Sequence, residues 1–455
     1  MKSTLVELKF TPSPEKWAQR AGVLVPRAAK FREQMGLPAS GPLVLSGHQA
    51  ELWHGGILAK HFASLAFASR ERAQTAWIVV DQDEADAIGL RVPIRDTAGR
   101  LREMRWQWGE SAGRISSGIA PVTPRAPALK AGESFAIVSV AEAIGFVSIA
   151  LAKHSKESSW AKQVSAAAAE IIARSAPAPQ FVYESKLAST ELFQQIVEAI
   201  ARGDAEAIRG YNQAILSTGD SGMRPLDEAT GELPLWDVGG GRRRRVLAAD
   251  FGKLDRSQLA PRGMLMTAVL RLAGCDLFVH GIGGGAYDPA TEAWIAGWDG
   301  ELATLAAELG GVGALAPMAV ATADLRLPLA KPGLPTDEEI RHGVWLAHHA
   351  GHDPAALGDE RGAAEKARLL AEIRENKSKQ ESPAQAFHAL HALLAESRRT
   401  RSSKLAELEN AARNLKEQRS EAKLAFDRTW SFALQAPTEI GGMYEQAVRA
   451  FEGRD

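Results

Sequence analysis

The chain is poor in cysteine, has almost no net charge, and lacks any long apolar run. It carries a single cysteine, Cys275, and its 54 basic and 55 acidic residues leave a formal net charge of -1. One cysteine cannot form an internal disulfide, which fits a reducing, cytoplasmic environment. Balanced charge gives no electrostatic basis for binding nucleic acid. No apolar run approaches the roughly 18 residues of a membrane-spanning helix, so we expect neither nucleic acid nor membrane as a partner.

Up to residue 333, apolar runs bounded by turn residues alternate with helical patterns. Residues 42–47 and 76–83 form two such runs, and the pattern between them, 56–72, predicts a helix. Strand, helix and strand at this spacing predict an α/β domain with a parallel sheet covered by helices. Residues 334–455 are predominantly helical in pattern. We therefore predict a sheet-containing domain over 1–333 with inserted connecting segments, and a helical region over 334–455.

The helical region contains a heptad pattern. Leu405, Leu408, Ala412 and Leu415 are spaced by 3, 4 and 3 residues, and charged residues fill the positions between them. This spacing predicts a helical hairpin or coiled coil that packs against itself or against a second chain. A homodimer through these helices is the expected assembly.

The first predicted strand leads into the stretch "SGHQAELWHGG" and then into a helix. Glycines let backbone N–H groups approach an anion, and a helix N-terminus adds partial positive charge. His48 and His54 are candidate catalytic bases, and Lys60 could add a full charge. The alternative is a tight turn with two structural histidines. The candidate binding residues here are Ser46, Gly47, Gln49, Gly55, Gly56 and Lys60.

Acidic residues crowd the end of the next strand, in "VVDQDEADA". Neighbouring carboxylates raise each other's pKa or recruit a cation such as Mg²⁺. Asp83 and Asp86 are candidate catalytic residues and Asp81 a candidate binding residue, whereas Glu84 could simply face water. No residue is assigned as a metal ligand.

A third strand, "CDLFVHG", leaves through the glycine-rich "GIGGGAYDPATE". His280, Gly283, Gly284 and Tyr287 are candidate ligand contacts, and Arg262, just before a predicted helix, could neutralise an anion. Asp288 precedes Pro289, so we predict that Asp288 caps the next helix and that the proline lies in its first turn. Weaker candidates are Tyr183, Glu184, Lys186 and the histidines His348, His349 and His352.

These segments together resemble the bacillithiol biosynthesis cysteine-adding enzyme family. The resemblance rests on four segments: "SGHQAELWHGGILAK", "WIVVDQDEAD", "PRGMLMTAVLRLAGCDLFVHGIGGGAYD" and, near Trp430, "FDRTWSFAL". The resemblance implies a Rossmann-like core with connecting segments and a C-terminal coiled coil that supports a dimer. It also implies a ligase that joins L-cysteine to the amine of glucosaminyl-malate, so these two small molecules are the expected substrates.

The residues alone leave the cofactor and two other functions open. The glycine-rich loops suit a carboxylate or the phosphate of a nucleotide such as ATP or ADP, and Mg²⁺ could accompany it. One alternative function is a nucleotide-dependent transferase or ligase acting on another amine. The other is a non-catalytic scaffold that binds a ligand through the sheet domain and a partner through the coiled coil.

Overall fold

A computed structural model describes residues 6–20, 24–85, 89–109, 115–116, 123–124, 127–219, 222–311, 315–330 and 334–453. The strands are β1 (Glu7–Thr11), β2 (Leu43–Gln49), β3 (Gln74–Val80), β4 (Glu84–Ala85), β5 (Gly89–Arg95), β6 (Leu101–Gln107), β7 (Ile115–Ser116), β8 (Ser134–Phe135), β9 (Phe181–Tyr183), β10 (Glu232–Asp237), β11 (Arg244–Leu247), β12 (Leu259–Pro261), β13 (Leu277–His280) and β14 (Met318–Asp324).

The helices account for most of the remaining regular structure. They are α1 (Pro26–Met35), α2 (Gly55–Glu71), α3 (Val138–Lys153), α4 (Trp160–Ile172), α5 (Glu191–Arg202), α6 (Asp204–Ser217), α7 (Gly263–Val269), α8 (Ile282–Ala296), α9 (Gly300–Glu308), α10 (Asp337–Ala350), α11 (Glu360–Ser378), α12 (Ala384–Thr400), α13 (Ser402–Ala425) and α14 (Pro437–Glu452). A π-helical turn, Leu270–Gly274, continues α7. None of the helices in the described part of the chain combines the length and apolarity needed to cross a membrane.

The chain is a mixed α/β protein built on a mostly parallel six-stranded sheet, as predicted. The strand order is β1-β14-β13-β2-β3-β9, and only β1 runs antiparallel to its neighbour. The first four residues of β2 are buried, as expected for a strand covered on both faces. The chain passes from β2 to β3 to β9 in one direction and from β13 to β14 in the other. The order therefore reverses between β2 and β13, where open α/β sheets bind ligands.

Helix α8 begins earlier than the sequence predicts. It starts at Ile282, with Gly281 as N-cap, so the prediction that Asp288 caps it was wrong, and Pro289 lies inside the helix rather than in its first turn. Tertiary packing explains the difference. A Cβ at Gly285 would lie 2.5 Å from Val320 of β14, so only a glycine allows the helix to lie this close to the sheet.

The structure separates into two compact units. One comprises Met1–Ile94, Glu103–Leu327 and Arg428–Asp455, and the other Arg95–Arg102 and Pro328–Asp427. Helix α14, which lies within the region 334–455 predicted to be helical, belongs to the unit that contains the sheet. Within the helical unit, α10 packs along α13 and α11 along α12. Leu415 of the predicted seam packs on Gly343 of α10 in the same chain.

A buried ion pair fastens the amino-terminal edge of the sheet. Asp276, just before β13, accepts hydrogen bonds at 2.8 Å from the guanidinium of Arg32 and from the backbone N–H of Leu43. The Arg32 side chain is fully buried, so its positive charge needs this carboxylate as a counter-ion. The pair links α1 to the first residues of β2 and β13, and so fixes the two strands that flank the reversal point.

Replacing Asp276 with alanine should destabilise the protein by about 3–5 kcal/mol, because it leaves a buried guanidinium without its carboxylate. Urea unfolding monitored by circular dichroism measures the loss. Asp250→Ala is the matched control, since it breaks an exposed pair with Lys253 and should change stability little. Equal effects of the two substitutions would contradict the importance of the buried pair.

Candidate functional site

A cavity of about 300 Å³ lies where the strand order reverses, at the carboxyl ends of β2, β3 and β13. Helices α2, α7 and α8 complete its wall. The structure thus brings the first and third predicted loops together at one edge of one sheet. Eight of the predicted site residues line the cavity: Gly47, His48, Gln49, Lys60, His280, Gly283, Gly284 and Tyr287.

The N-terminal glycines of α8 form one wall of the cavity. Because α8 starts directly after β13, Gly283 and Gly284 lie in its first turn. The first N–H groups of a helix have no partner within the helix and carry partial positive charge. The first turn of α2 also reaches the cavity, through Ile57. The N–H groups of Gly56 and Ile57 at the start of α2 already donate to His54, so the start of α8 is the helix N-terminus that favours an anionic ligand here.

Lys60 supplies the charged group of this wall. Its side chain is buried, its ammonium donates a hydrogen bond to the carbonyl of Gly47, and it lies 5.0 Å from the centre of the Trp77 ring. It forms no ion pair with any carboxylate of the described residues. Burial lowers the pKa of Lys60 to about 7. An amine that is buried without a counter-ion is costly unless a ligand supplies the negative charge.

The two predicted catalytic histidines of the first loop lie in different environments. His48 lines the cavity, half-buried, with Nε2 3.2 Å from a carboxylate oxygen of Glu51. Burial lowers the pKa of His48, and Glu51 opposes that change. His54 instead caps α2: its Nδ1 accepts a hydrogen bond from the N–H of Gly56 at 3.1 Å. It does not line the cavity, so the geometry does not support His54 as a base there.

The predicted carboxylates beyond β3 lie next to the cavity rather than in its wall. Asp83 accepts a hydrogen bond from the cavity residue Gln49 at 3.0 Å and pairs with Arg243 at 2.8 Å. Asp81 accepts two hydrogen bonds from Ser185, at 2.7 and 2.8 Å. Burial raises the pKa of Asp81, and these bonds oppose that change. Asp86 lies outside the described residues.

Four predicted binding residues have structural roles instead of contacts with the cavity. Ser46 is buried and donates to the carbonyl of Val279, which ties β2 to β13. The buried guanidinium of Arg262 donates to Glu232 and lies 4.2 Å from the Trp236 ring. Gly55 and Gly56 allow α2 to pack closely on the end of the sheet, because a Cβ there would lie within 3 Å of Leu325 and Thr322, respectively.

The sequence did not identify a buried network behind His280. Asp288 is fully buried and joins His280 to Arg271. No local motif marks such a set, because its members lie on a π-helical turn, a strand and a helix. The one feature of the sequence that could have indicated this contact is the spacing of 8 residues between His280 and Asp288. That spacing brings the two side chains together only if α8 begins at Ile282.

The weaker sequence candidates do not reach the cavity. Glu184 is buried next to Asp81 and Asp83, and burial, with the help of both, raises the pKa of Glu184 to about 8. The rings of His348 and His352 lie 6.5 Å apart on the surface of the helical unit. Among the described residues there is no group of three or more histidine, cysteine or acidic side chains arranged to hold a metal ion.

Adding a methyl group at Gly284 should displace His280. A Cβ at this position would lie 2.3 Å from Nδ1 of His280, whereas a Cβ at Gly283 would meet nothing within 4 Å. We expect Gly284→Ala to cost about 1–3 kcal/mol through overpacking. Gly283→Ala, one residue away in the same helix, should be neutral or slightly stabilising. Urea unfolding compares the two, and equal stability would contradict the close contact.

Lys60 should give the protein a distinctive pH dependence of stability. Its pKa falls from 10.5 when unfolded to about 7 when folded, so the unfolded chain binds more protons between those values. Stability therefore rises with pH across that window, by up to about 1.4 kcal/mol per unit, and the burial penalty is present in full below pH 7.

Lys60→Met removes the free-energy cost of burying a charged amine. The substitution should therefore stabilise the protein most near pH 6, and the gain should shrink as the pH rises towards 9.5. Urea unfolding at several pH values measures the difference between variant and wild type. Lys30→Met, at an exposed position, is the control for loss of a lysine. A pH-independent difference between Lys60→Met and wild type would contradict the depressed pKa of Lys60.

Comparison with known proteins assigns neither a family nor a function to the chain. A scan against models of protein families finds no family that matches the chain, and a search of curated proteins finds no match. The candidate chemistry of the cavity therefore rests on its own residues.

Proposed function

We propose that the chain is a ligase that forms an amide bond, and that the cavity binds the carboxylate-bearing substrate. The observation that carries the proposal is Lys60, a buried amine with no carboxylate partner among the described residues, in the wall of a cavity that the N-terminus of α8 also lines. The resemblance to the cysteine-adding family names the substrates, L-cysteine and the amine of glucosaminyl-malate. The reversal of strand order beside the cavity supports a Rossmann-like core.

The cavity recognises negative charge through fixed groups. Lys60 offers a charge-assisted hydrogen bond to a carboxylate or phosphate oxygen, and the N–H groups at the start of α8 offer further donors. Binding an anion also stabilises the charged form of Lys60, because opposite charges in a buried site favour each other's ionisation. The site is thus arranged before a ligand arrives, which limits the cost of reorganisation.

The size of the cavity limits what it can enclose. Its volume of about 300 Å³ lies at the lower end of the range for ligand pockets, about 300–1,000 Å³. An amino acid such as cysteine fits within this space. A sugar conjugate or a nucleotide would have to extend beyond it, so we place the amino acid in the cavity and the larger substrate at its mouth.

The reaction requires an activated carboxylate and an amine with a free lone pair. A nucleoside triphosphate such as ATP would supply the activation: a carboxylate oxygen would form a bond to one of its phosphorus atoms as a phosphoanhydride bond breaks, and a nucleoside diphosphate or pyrophosphate would leave. The amine nitrogen then attacks the carbonyl carbon, the new C–N bond forms, the bond to the phosphate leaving group breaks, and the amine proton passes to a base. Lys60 and the α8 amides hold the carboxylate oxygens and stabilise the negative charge that develops on them. Half-buried His48 borders the entrance for the amine.

Turnover with defined substrates tests the proposal. The full chain is incubated with L-cysteine, glucosaminyl-malate, ATP and Mg²⁺, and mass spectrometry detects the amide product. We expect product with the wild type, and a fall of roughly 10- to 150-fold in kcat/KM with Lys60→Met, the loss of one hydrogen bond to a charged group. Lys30→Met should retain wild-type turnover.

The alternatives predict different results. Stabilisation by ATP with no product from glucosaminyl-malate, but with product from another amine, would favour a transferase or ligase with a different amine substrate. Stabilisation by a ligand without turnover would favour a scaffold. A homodimer through the helical unit stays a prediction, which sedimentation of the full chain tests directly. Absence of both binding and turnover with these ligands would contradict the proposed ligase.

A further inference from the structure

His280 is held at the cavity by a buried carboxylate. Its Nε2 lies 3.1 Å from Oδ2 of Asp288, and both side chains are buried. His280 is the last residue of β13, and Asp288 lies on α8, which begins two residues later. The ring is also packed between Phe278 and Tyr287, with ring centres 4.5 and 5.9 Å away. These contacts hold the imidazole against the wall of the cavity.

Asp288 is itself fixed by a second buried group. The guanidinium of Arg271 donates to Oδ2 of Asp288 at 2.7 Å, to Glu292 at 2.7 Å and to the carbonyl of Ala316 at 2.7 Å. Arg271 lies in the π-helical turn, a departure from α-helical geometry that is frequent at functional sites. Burial alone would raise the pKa of Asp288, but His280 and Arg271 hold it below its ordinary value, so the carboxylate is ionised.

An ionised Asp288 determines which ring nitrogen of His280 carries the proton. A carboxylate accepts hydrogen bonds and donates none, so Nε2 must be the protonated nitrogen. Nδ1 is then the unprotonated nitrogen. It packs against Gly284 at the start of α8, where a Cβ would lie 2.3 Å away, and both residues line the cavity. The proposed proton acceptor therefore lies at the cavity wall.

We propose that His280 is the general base of the amide-forming step, that its Nδ1 takes the proton from the attacking amine, and that Asp288 is the positioning residue that sets this tautomer. The proposal rests on the proposed function, and it assigns the base to a residue other than His48 or His54. The proton leaves the amine nitrogen as the C–N bond forms, and the resulting imidazolium is stabilised by Asp288. Such a base contributes typically 10²–10⁴-fold to a rate.

The charges around His280 keep it neutral in the resting site. Burial lowers the pKa of His280, Asp288 opposes this change, and the positive charges of Lys60 and Arg271 add to it. Tyr287 packs against the ring, and burial raises the pKa of Tyr287, so it stays uncharged. A base with a lowered pKa is active above that value. The rate should therefore rise with pH through the pKa of His280 and level off at neutral pH.

The tautomer can be measured without any substrate. In the full chain labelled with ¹⁵N-histidine, long-range ¹H–¹⁵N spectra distinguish a protonated from an unprotonated ring nitrogen, and His280→Gln identifies the signal. We expect protonated Nε2 and unprotonated Nδ1 at pH 7. Asp288→Asn should shift His280 towards a mixture of tautomers. Glu292→Gln is the matched control. It also removes a carboxylate that pairs with Arg271, but Glu292 is half-exposed, and the carboxylate bonded to His280 is that of Asp288.

Kinetics complete the test. His280→Gln should lower kcat by 10²–10⁴-fold with little change in KM, and Asp288→Asn should change the pH profile, whereas Asp288→Glu should restore part of it. A protonated Nδ1, a charged His280 at pH 7, or full kcat in His280→Gln would overturn the inference. If the tautomer is as expected but cysteine and glucosaminyl-malate give no amide, the proposed substrates fail while the assigned orientation of His280 stands.

Discussion

The site depends on the buried amine of Lys60, which forms no ion pair with a carboxylate of the described residues. Protein interiors pair or neutralise such groups, because an ammonium removed from water loses several kcal/mol of solvation. Here the described part of the chain provides a backbone carbonyl and the face of Trp77, but no carboxylate. The N-terminus of α8 adds further positive potential. An anionic ligand would remove this cost, and the rest of the site can be understood as the scaffold that holds the amine in place.

That scaffold combines close backbone packing with buried ion pairs. Glycines at the strand and helix ends let elements approach to distances that a side chain would prevent, as at Gly47, where a Cβ would lie 2.5 Å from the carbonyl of Ile78. Asp276 and Arg32 fasten the far edge of β2 and β13, and Asp288 and Arg271 fasten the edge that faces the cavity. Asp276 directly precedes β13, and Asp288 bonds to its last residue, His280. A single short strand is therefore anchored at each end by a charged pair.

The sequence predicted the part of this arrangement that is local. Apolar runs located β2, β3 and β13, and the rule that ligands bind at the carboxyl ends of parallel strands selected loops whose residues, His48, Lys60 and His280 among them, line the cavity. What failed needed knowledge of distant partners. In the sequence, His54 and Arg262 look like residues that could bind an anion. In the structure, His54 instead accepts a hydrogen bond from Gly56, and Arg262 donates one to Glu232. Asp288 looks like a helix cap because it precedes Pro289, yet α8 begins six residues earlier, at Ile282, where Gly285 packs on Val320.

Lys60 allows the most direct test of whether this cavity is a preorganised anion site. Competitive acetylation with trace acetic anhydride at pH 5 to 9.5, with each lysine quantified by mass spectrometry, measures the pKa and accessibility of Lys60 in the native protein. The account predicts a titration midpoint near 7 for Lys60, and strong protection of this lysine by L-cysteine or phosphate while exposed lysines react unchanged. A midpoint near that of an ordinary lysine, with no protection by either anion, would contradict it.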